Sequence, residues 1–176
     1  MISDLGMDDF AQDMNGLGRN EMPERLLLAW VSGEIGVALL REWILPTWEL
    51  AEWPVATLGH QRWLDMFAAT GFVTDGCDDP PTPLTVYRGA ARRHARGFSW
   101  TWEQERAEWF AQRTTLFGVP AAVYEVTLPR ELLLGVIGGV ESRGEHEVIV
   151  NPRRLRGRWT PREILDVPAS RASSSR

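Results

Sequence analysis

The chain has 176 residues, of which 44% are hydrophobic, so it suits a single compact unit with a sizeable core and excludes extended disorder. No apolar run reaches the roughly 18 residues that a membrane span needs, and the N-terminus lacks the basic residues and apolar stretch of a secretory signal. We therefore expect a cytoplasmic protein without a membrane partner. A single cysteine excludes an internal disulfide, three scattered histidines predict no metal site, and the net charge of −5 argues against broad nucleic-acid affinity.

The first 83 residues are predicted to be helical. Apolar side chains recur at helical spacing in residues 22–45, as one long helix or two abutting ones, and the pattern returns with Trp63, Met66 and Phe67 before a glycine. This region holds 14 acidic residues against four arginines, a net charge of −10, whereas residues 84–176 carry a net charge of +5. The acidic helical region would suit a basic partner.

The second half of the chain is predicted to form a sheet. Residues 74–83, TDGCDDPPTP, are dense in Asp, Gly and Pro and indicate a linker. The runs LTVYRG, AAVYEVTL, LLLGVIG and HEVIV then predict strands, and WEQERAEWFAQR predicts a helix. We therefore predict an α+β fold, with a helical N-terminal region over residues 1–83 in the same compact unit as a mainly antiparallel core over residues 84–168. Residues 169–176 are predicted to be a disordered tail.

Two carboxylates, Glu145 and Glu147, lie two positions apart where the HEVIV strand begins. Strand alternation puts both on one face of the sheet. Because a carboxylate is costly to desolvate without a partner, a cleft explains this pair better than a core does. The alternative is an edge strand on which both acids face water and discourage pairing with another chain.

Two further segments carry candidate ligand-binding groups. Arg88 and Gly89 end the LTVYRG strand, where an arginine fork suits phosphate oxygens and a glycine lets a ligand approach the backbone. The alternative is a surface ion pair beside a turn glycine. Ser99 and Thr101 precede the predicted helix, so their hydroxyls would bind a ligand, cap the helix with Glu103, or do both.

In chain order, the aromatic-Arg-Gly strand, the Ser-x-Thr segment before a helix and the Glu-x-Glu strand after an Arg-Gly turn resemble the pattern of mono-ADP-ribosyltransferases. The relatives in question are the clostridial C2-type toxins and the vertebrate ecto-transferases. The resemblance covers roughly residues 84–151. It implies a split antiparallel sheet core with the helical N-terminal part packed on it, NAD as co-substrate, and transfer of ADP-ribose to an acceptor with release of nicotinamide.

The resemblance also implies roles for single residues. Arg88 would hold the phosphates and the nicotinamide ribose, and the backbone of Gly89 would bind the nicotinamide amide. Ser99 matches the first hydroxyl of the family's Ser-Thr-Ser motif and Thr101 its third position. Trp100 replaces the central Thr and departs from the family pattern.

The remaining roles concern the chemistry. Glu147 matches the catalytic second glutamate, which would stabilise the positive charge that develops as the bond between nicotinamide and ribose breaks. Glu145 matches the first glutamate, which goes with transfer to arginine and would orient the guanidinium and help remove its proton. Phe110 would lie against the nicotinamide, or else be a core residue of its helix.

Other functions also fit the sequence. In an NAD glycohydrolase, water would replace the acceptor, and a non-catalytic inhibitor or adaptor would act through the acidic helical region. A nucleic-acid acceptor is suggested by four arginines, Arg153, Arg154, Arg156 and Arg158. The net charge disfavours it, and relatives that modify nucleobases tend to carry Gln where Glu145 stands, so we expect a protein arginine. The sequence does not distinguish a toxin or phage effector from a regulator.

Overall fold

The computed structural model describes residues 7–138 and 146–169 and shows a mixed α+β fold, as the sequence predicts. The chain divides into two compact units, Met1–Val73 and Thr74–Arg176. The Asp-, Gly- and Pro-rich segment therefore belongs to the second unit, whereas the sequence places it at the end of the first region. No helix in the described ranges is long and apolar enough to cross a membrane.

The described part of the first unit is helical. Its elements are α1 (Met7–Asn15), α2 (Met22–Val31), α3 (Val37–Leu50) and α4 (Pro54–Thr70). Residues 22–45 thus form two helices, separated at Gly33, where φ is 76°. A proline in the first turn of α2 and of α4 fits the position at which a helix has no use for the missing N–H.

Aromatic side chains form the centre of the first unit. The rings of Trp48 and Trp63 meet edge to face, with centroids 4.9 Å apart, and Phe67 packs against both. The indole N–H of Trp63 donates to the carbonyl of Pro54 at 2.7 Å, so the buried polar atom is satisfied. Burying each large apolar side chain stabilises the fold by about 1.5–3 kcal/mol.

The second unit contains a sheet and one long helix. The strands are β1 (Val73–Thr74), which begins at the last residue of the first unit, β2 (Leu84–Ala91), β3 (Ser99–Thr101), β4 (Ala121–Leu128), β5 (Leu133–Ile137), β6 (Glu147–Val150) and β7 (Arg162–Val167). Helix α5 (Gln104–Thr115) follows β3. Across the sheet the order is β1-β5-β6-β3-β2-β4-β7, and each neighbouring pair from β5 to β7 is antiparallel.

A single pair of residues, Tyr87 and Thr101, joins β2 to β3 within the described residues. We call this pair the sheet junction. On one side of it lie β3, β6 and β5, and on the other β2 pairs with β4 along its whole length. Beyond the junction, residues 88–91 of β2 pair with β4. The first residue past the junction is Arg88.

Helix α5 packs closely on β2 because residue 89 has no side chain. A Cβ atom at Gly89 would lie 1.8 Å from the carbonyl oxygen of Ala107 and 2.5 Å from the amide nitrogen of Ala111. These two alanines form a buried cluster with Ala121 and Val123 of β4. Small residues on both elements therefore set the distance between the helix and the sheet.

Candidate functional site

The side chain of Arg88 bridges β2 and the segment that leads into β3. Its Nε donates to the carbonyl of His94 at 3.0 Å, and one Nη donates to the carbonyl of Ser99. The other Nη has no hydrogen-bond partner among the described residues. Burial lowers the pKa of Arg88 to about 10, and the negative charge of Glu147 acts against this shift. The guanidinium is therefore cationic at neutral pH, with donor capacity for a ligand oxygen.

The loop of residues 92–98 packs against this guanidinium. A Cβ atom at Gly97 would lie 2.5 Å from Cζ of Arg88, so the arginine packs directly on the glycine backbone. The loop is fixed by two further bonds, since Trp100 donates its indole N–H to the carbonyl of Gly97 at 2.9 Å and Val150 donates to the carbonyl of Phe98 at 2.8 Å. Gly97 was not a candidate from sequence, because its role depends on where Arg88 lies.

Two hydroxyls and a carboxylate share one face of the sheet. Thr101 of β3 lies directly opposite Glu147 of β6, so the two side chains point the same way. Ser99 is two positions before Thr101 and shares that face by strand alternation. Glu147 and Ser99 are half-buried, whereas Thr101 is 5% exposed. The structure therefore brings three of the candidate residues together at the start of β6.

The structure does not support Thr101 as the N-cap of α5, because the N-cap residue is Glu103 and no side chain caps the helix. The hydroxyl of Thr101 instead accepts a hydrogen bond from the amide of Glu103 at 3.1 Å, just before α5 begins at Gln104. The hydroxyl thus fixes the turn between β3 and α5. This bond uses one of its lone pairs and leaves its O–H for another acceptor.

Two other candidates have contacts with α5. The close approach of α5 gives a structural reason for a glycine at residue 89. Phe110 lies on α5 itself, half-buried, with its ring 5.0 Å from that of Trp109 and 5.6 Å from the guanidinium of Arg106. These described contacts of Phe110 lie within its own helix. Glu145, the remaining candidate, lies outside the described residues.

His146, which precedes Glu147, has an unusual backbone and two side-chain partners. Its φ is 40°, in the left-handed region that few residues other than glycine adopt. Its Nδ1 lies 2.6 Å from a carboxylate oxygen of Glu103, and its ring stacks on Trp102 with centroids 5.0 Å apart. We call Trp102, Glu103 and His146 the His146 cluster. It lies immediately beside the pair formed by Thr101 and Glu147.

The four arginines after β6 lie on two short 3-10 turns, Pro152–Arg154 and Gly157–Trp159, and the loop between them. All four are exposed. The guanidinium groups of Arg154 and Arg158 lie 6.0 and 4.3 Å from the ring centroid of Trp159. This surface is cationic, but the aromatic ring within it already has cationic partners.

The site therefore combines a half-buried guanidinium, two hydroxyls and a carboxylate on β2, β3 and β6. Such a set can hold a phosphate and stabilise a developing cation. Within the described ranges no group of three His, Cys, Asp or Glu side chains is placed to bind a metal ion. Comparison of the chain with protein-family models, with curated proteins and with solved structures finds no match.

Proposed function

We propose that the protein is a mono-ADP-ribosyltransferase that cleaves NAD and transfers ADP-ribose to a protein arginine, releasing nicotinamide. The observation that carries the proposal is the placement of Arg88 and Glu147. The arginine follows the sheet junction on β2, the glutamate begins β6, and the charge of the glutamate acts on the arginine. The guanidinium and the carboxylate therefore lie within range of a charge interaction, and in the proposal the first binds phosphate and the second acts on the ribose.

The topology of the sheet supports the same proposal. Strands β5, β6 and β3 form one antiparallel group, β2, β4 and β7 form another, and one residue pair joins them. This division is what a split antiparallel core of the ADP-ribosyltransferase type requires. In the proposal NAD lies along the junction, with its phosphates at Arg88 and its nicotinamide ribose toward Ser99 and Glu147.

The proposed chemistry follows from the charges at the site. As the bond between nicotinamide and the ribose C1′ breaks, nicotinamide leaves with the electron pair and positive charge develops on the ribose. The Glu147 carboxylate stabilises that charge. A guanidinium nitrogen of the acceptor then forms the new bond to C1′ and loses a proton, which Glu145 accepts. Nicotinamide leaves as a neutral molecule and needs no general acid.

The first experiment follows two labels of NAD, one in nicotinamide and one in adenine, in the presence of a cell lysate. The intact protein is expected to release nicotinamide and to attach the adenine label to macromolecules. Glu147→Gln removes the charge with little change in volume and is expected to lower both signals by about 100-fold or more. Glu131→Gln, at an exposed position of the same unit, is the matched control and should retain both signals.

The other outcomes separate the alternatives. Free ADP-ribose as the sole adenine-labelled product identifies an NAD glycohydrolase. No NAD cleavage in any fraction contradicts the enzymatic proposal and favours an adaptor, whose partner binding should survive Glu147→Gln. For the acceptor, Glu145→Gln is expected to preserve nicotinamide release but to abolish transfer to protein arginine. Unchanged transfer by that variant would count against arginine as the acceptor.

A further inference from the structure

The backbone at His146 is held in place by contacts from one neighbouring turn. A residue other than glycine with positive φ is strained, and the conformation persists only where the surroundings hold it in place. At φ 40°, His146 has a carboxylate contact at 2.6 Å from Glu103 and a stacked indole from Trp102. Both partners immediately follow Thr101, the residue that pairs with Glu147.

The turn that carries these partners is itself fixed. The amide of Glu103 donates to the hydroxyl of Thr101 at 3.1 Å, which sets the start of the turn. The far end of the Trp102 indole reaches Gly138, where a Cβ atom would lie 3.0 Å from Cη2. The ring therefore extends over the ends of β3 and β5 and stacks on His146, the residue just before β6. His146 is thus tied to both strands that flank Glu147.

From this geometry we propose that His146 is a positioning residue for Glu147. The His146 cluster fixes the direction in which the chain enters β6, and so fixes where the Glu147 carboxylate points relative to Ser99 and Arg88. His146 itself transfers no proton and touches no substrate. The inference rests on the proposed function for its kinetic consequence, but the positioning can also be measured without NAD.

Two variants distinguish the effect of the backbone conformation at residue 146 from the effect of its side chain, and a third variant is the control. His146→Gly accepts positive φ but removes the ring and its Nδ1. His146→Asn also tolerates the left-handed region and places an amide nitrogen near the position of Nδ1. His60→Asn, an exposed histidine on α4 of the first unit, is the matched control.

The kinetic test uses the rate of nicotinamide release. His146→Gly is expected to lower kcat by 10- to 100-fold, roughly the effect of a misplaced catalytic group, while KM for NAD changes by less than about threefold. His146→Asn should restore kcat to within about threefold of the original, and the pH profile should keep its shape. Full activity in His146→Gly would overturn the proposal. A His146→Asn variant with kcat lowered by about 10-fold or more and with one limb of the pH profile missing would also overturn it, since His146 would then transfer a proton itself.

Amide hydrogen exchange tests the positioning independently of activity. His146→Gly is expected to speed exchange at Glu147 and Val148 by about 10-fold or more, while Val123 on β4 is unaffected. His146→Asn and His60→Asn should exchange like the original protein. If the original protein cleaves no NAD, the proposed function fails, and the exchange rates alone decide the inference. Equal rates at Glu147 in His146→Gly and the original protein would then refute it.

Discussion

The guanidinium of Arg88 fills the space that a side chain at Gly97 would need. Two residues nine positions apart are therefore complementary in shape, one with a large planar group and the other with none. Neither can change alone without moving the other, because Arg88 is also bonded to the carbonyls of His94 and Ser99.

Gly97→Ala should displace Arg88 and weaken NAD binding by about 10-fold or more, equivalent to about 1.4 kcal/mol. Overpacking at this position should also lower the free energy of unfolding by about 1–3 kcal/mol. Titration with NAD and chemical denaturation measure the two effects. In the control Gly36→Ala, φ is −82° and no atom lies within 4 Å of the new Cβ, so NAD binding should be unchanged. Equal NAD affinity in Gly97→Ala and the original protein would refute the prediction.

Arg88→Lys should fail to replace the arginine although it keeps the charge. A lysine ammonium lacks the fork that reaches the carbonyls of His94 and Ser99 together. We expect a loss of about 1–3 kcal/mol in unfolding free energy and loss of measurable NAD binding. Arg162→Lys is the control, because the Arg162 side chain is 74% exposed and forms a surface ion pair with Glu125. That variant should stay within about 0.5 kcal/mol of the original. Normal NAD affinity in Arg88→Lys would show that charge alone is sufficient.

Gly89→Ala should be the most destabilising of the small substitutions. The added methyl would meet the backbone of α5, at 1.8 Å from the carbonyl oxygen of Ala107, and a backbone atom cannot move aside as a flexible side chain can. We expect a loss of about 3 kcal/mol or more in the free energy of unfolding. Thermal and denaturant unfolding, with Gly36→Ala alongside, provide the measurement. A change below about 0.5 kcal/mol would mean that α5 does not pack on β2 as described.

Cys77 should react slowly with alkylating reagents. Burial, followed by its hydrogen bond with Asp75, raises the pKa of the thiol from 9.0 to about 11. The thiolate fraction at pH 8 should therefore be about 100-fold lower than in the unfolded chain.

The same shift predicts how stability depends on pH. Because the folded state keeps the thiol proton to higher pH than the unfolded state does, the free energy of unfolding should fall as the pH rises from 9.0 to about 11. Alkylation rates against pH, with and without denaturant, measure the shift. A midpoint near 9 in the folded protein would contradict it.

Much of the secondary structure was predictable because its patterns are long. The four strand-like runs correspond to β2, β4, β5 and β6, and the helical prediction for the first half is confirmed from Met7 to Thr70, whereas residues 71–83 contain strand β1 and no helix. Strand β7 (Arg162–Val167) was missed because its mostly exposed, partly charged residues show no apolar alternation. Strand β3 (Ser99–Thr101) is too short for any periodicity, and its pairing with β6 and β2 defines it.

The site was predictable only through a resemblance and only in part. Arg88, Ser99 and Glu147 were candidates because their types and order suggested one chemistry, which stays a proposal. Local sequence did not indicate the role of Gly97, because that role depends on the tertiary placement of Arg88. His146 was missed because its partner Glu103 lies 43 residues away, beyond the reach of any pattern in sequence.

The two carbonyl contacts of Arg88 have an evolutionary consequence. They close the loop of residues 92–98, so the arginine stabilises the fold whether or not a ligand binds there. A descendant that had lost its ligand would still be selected to keep an arginine at this position. Among any relatives of this chain, an arginine aligned with Arg88 would therefore be evidence that the loop is kept. Whether such a relative is active would have to be judged from other positions.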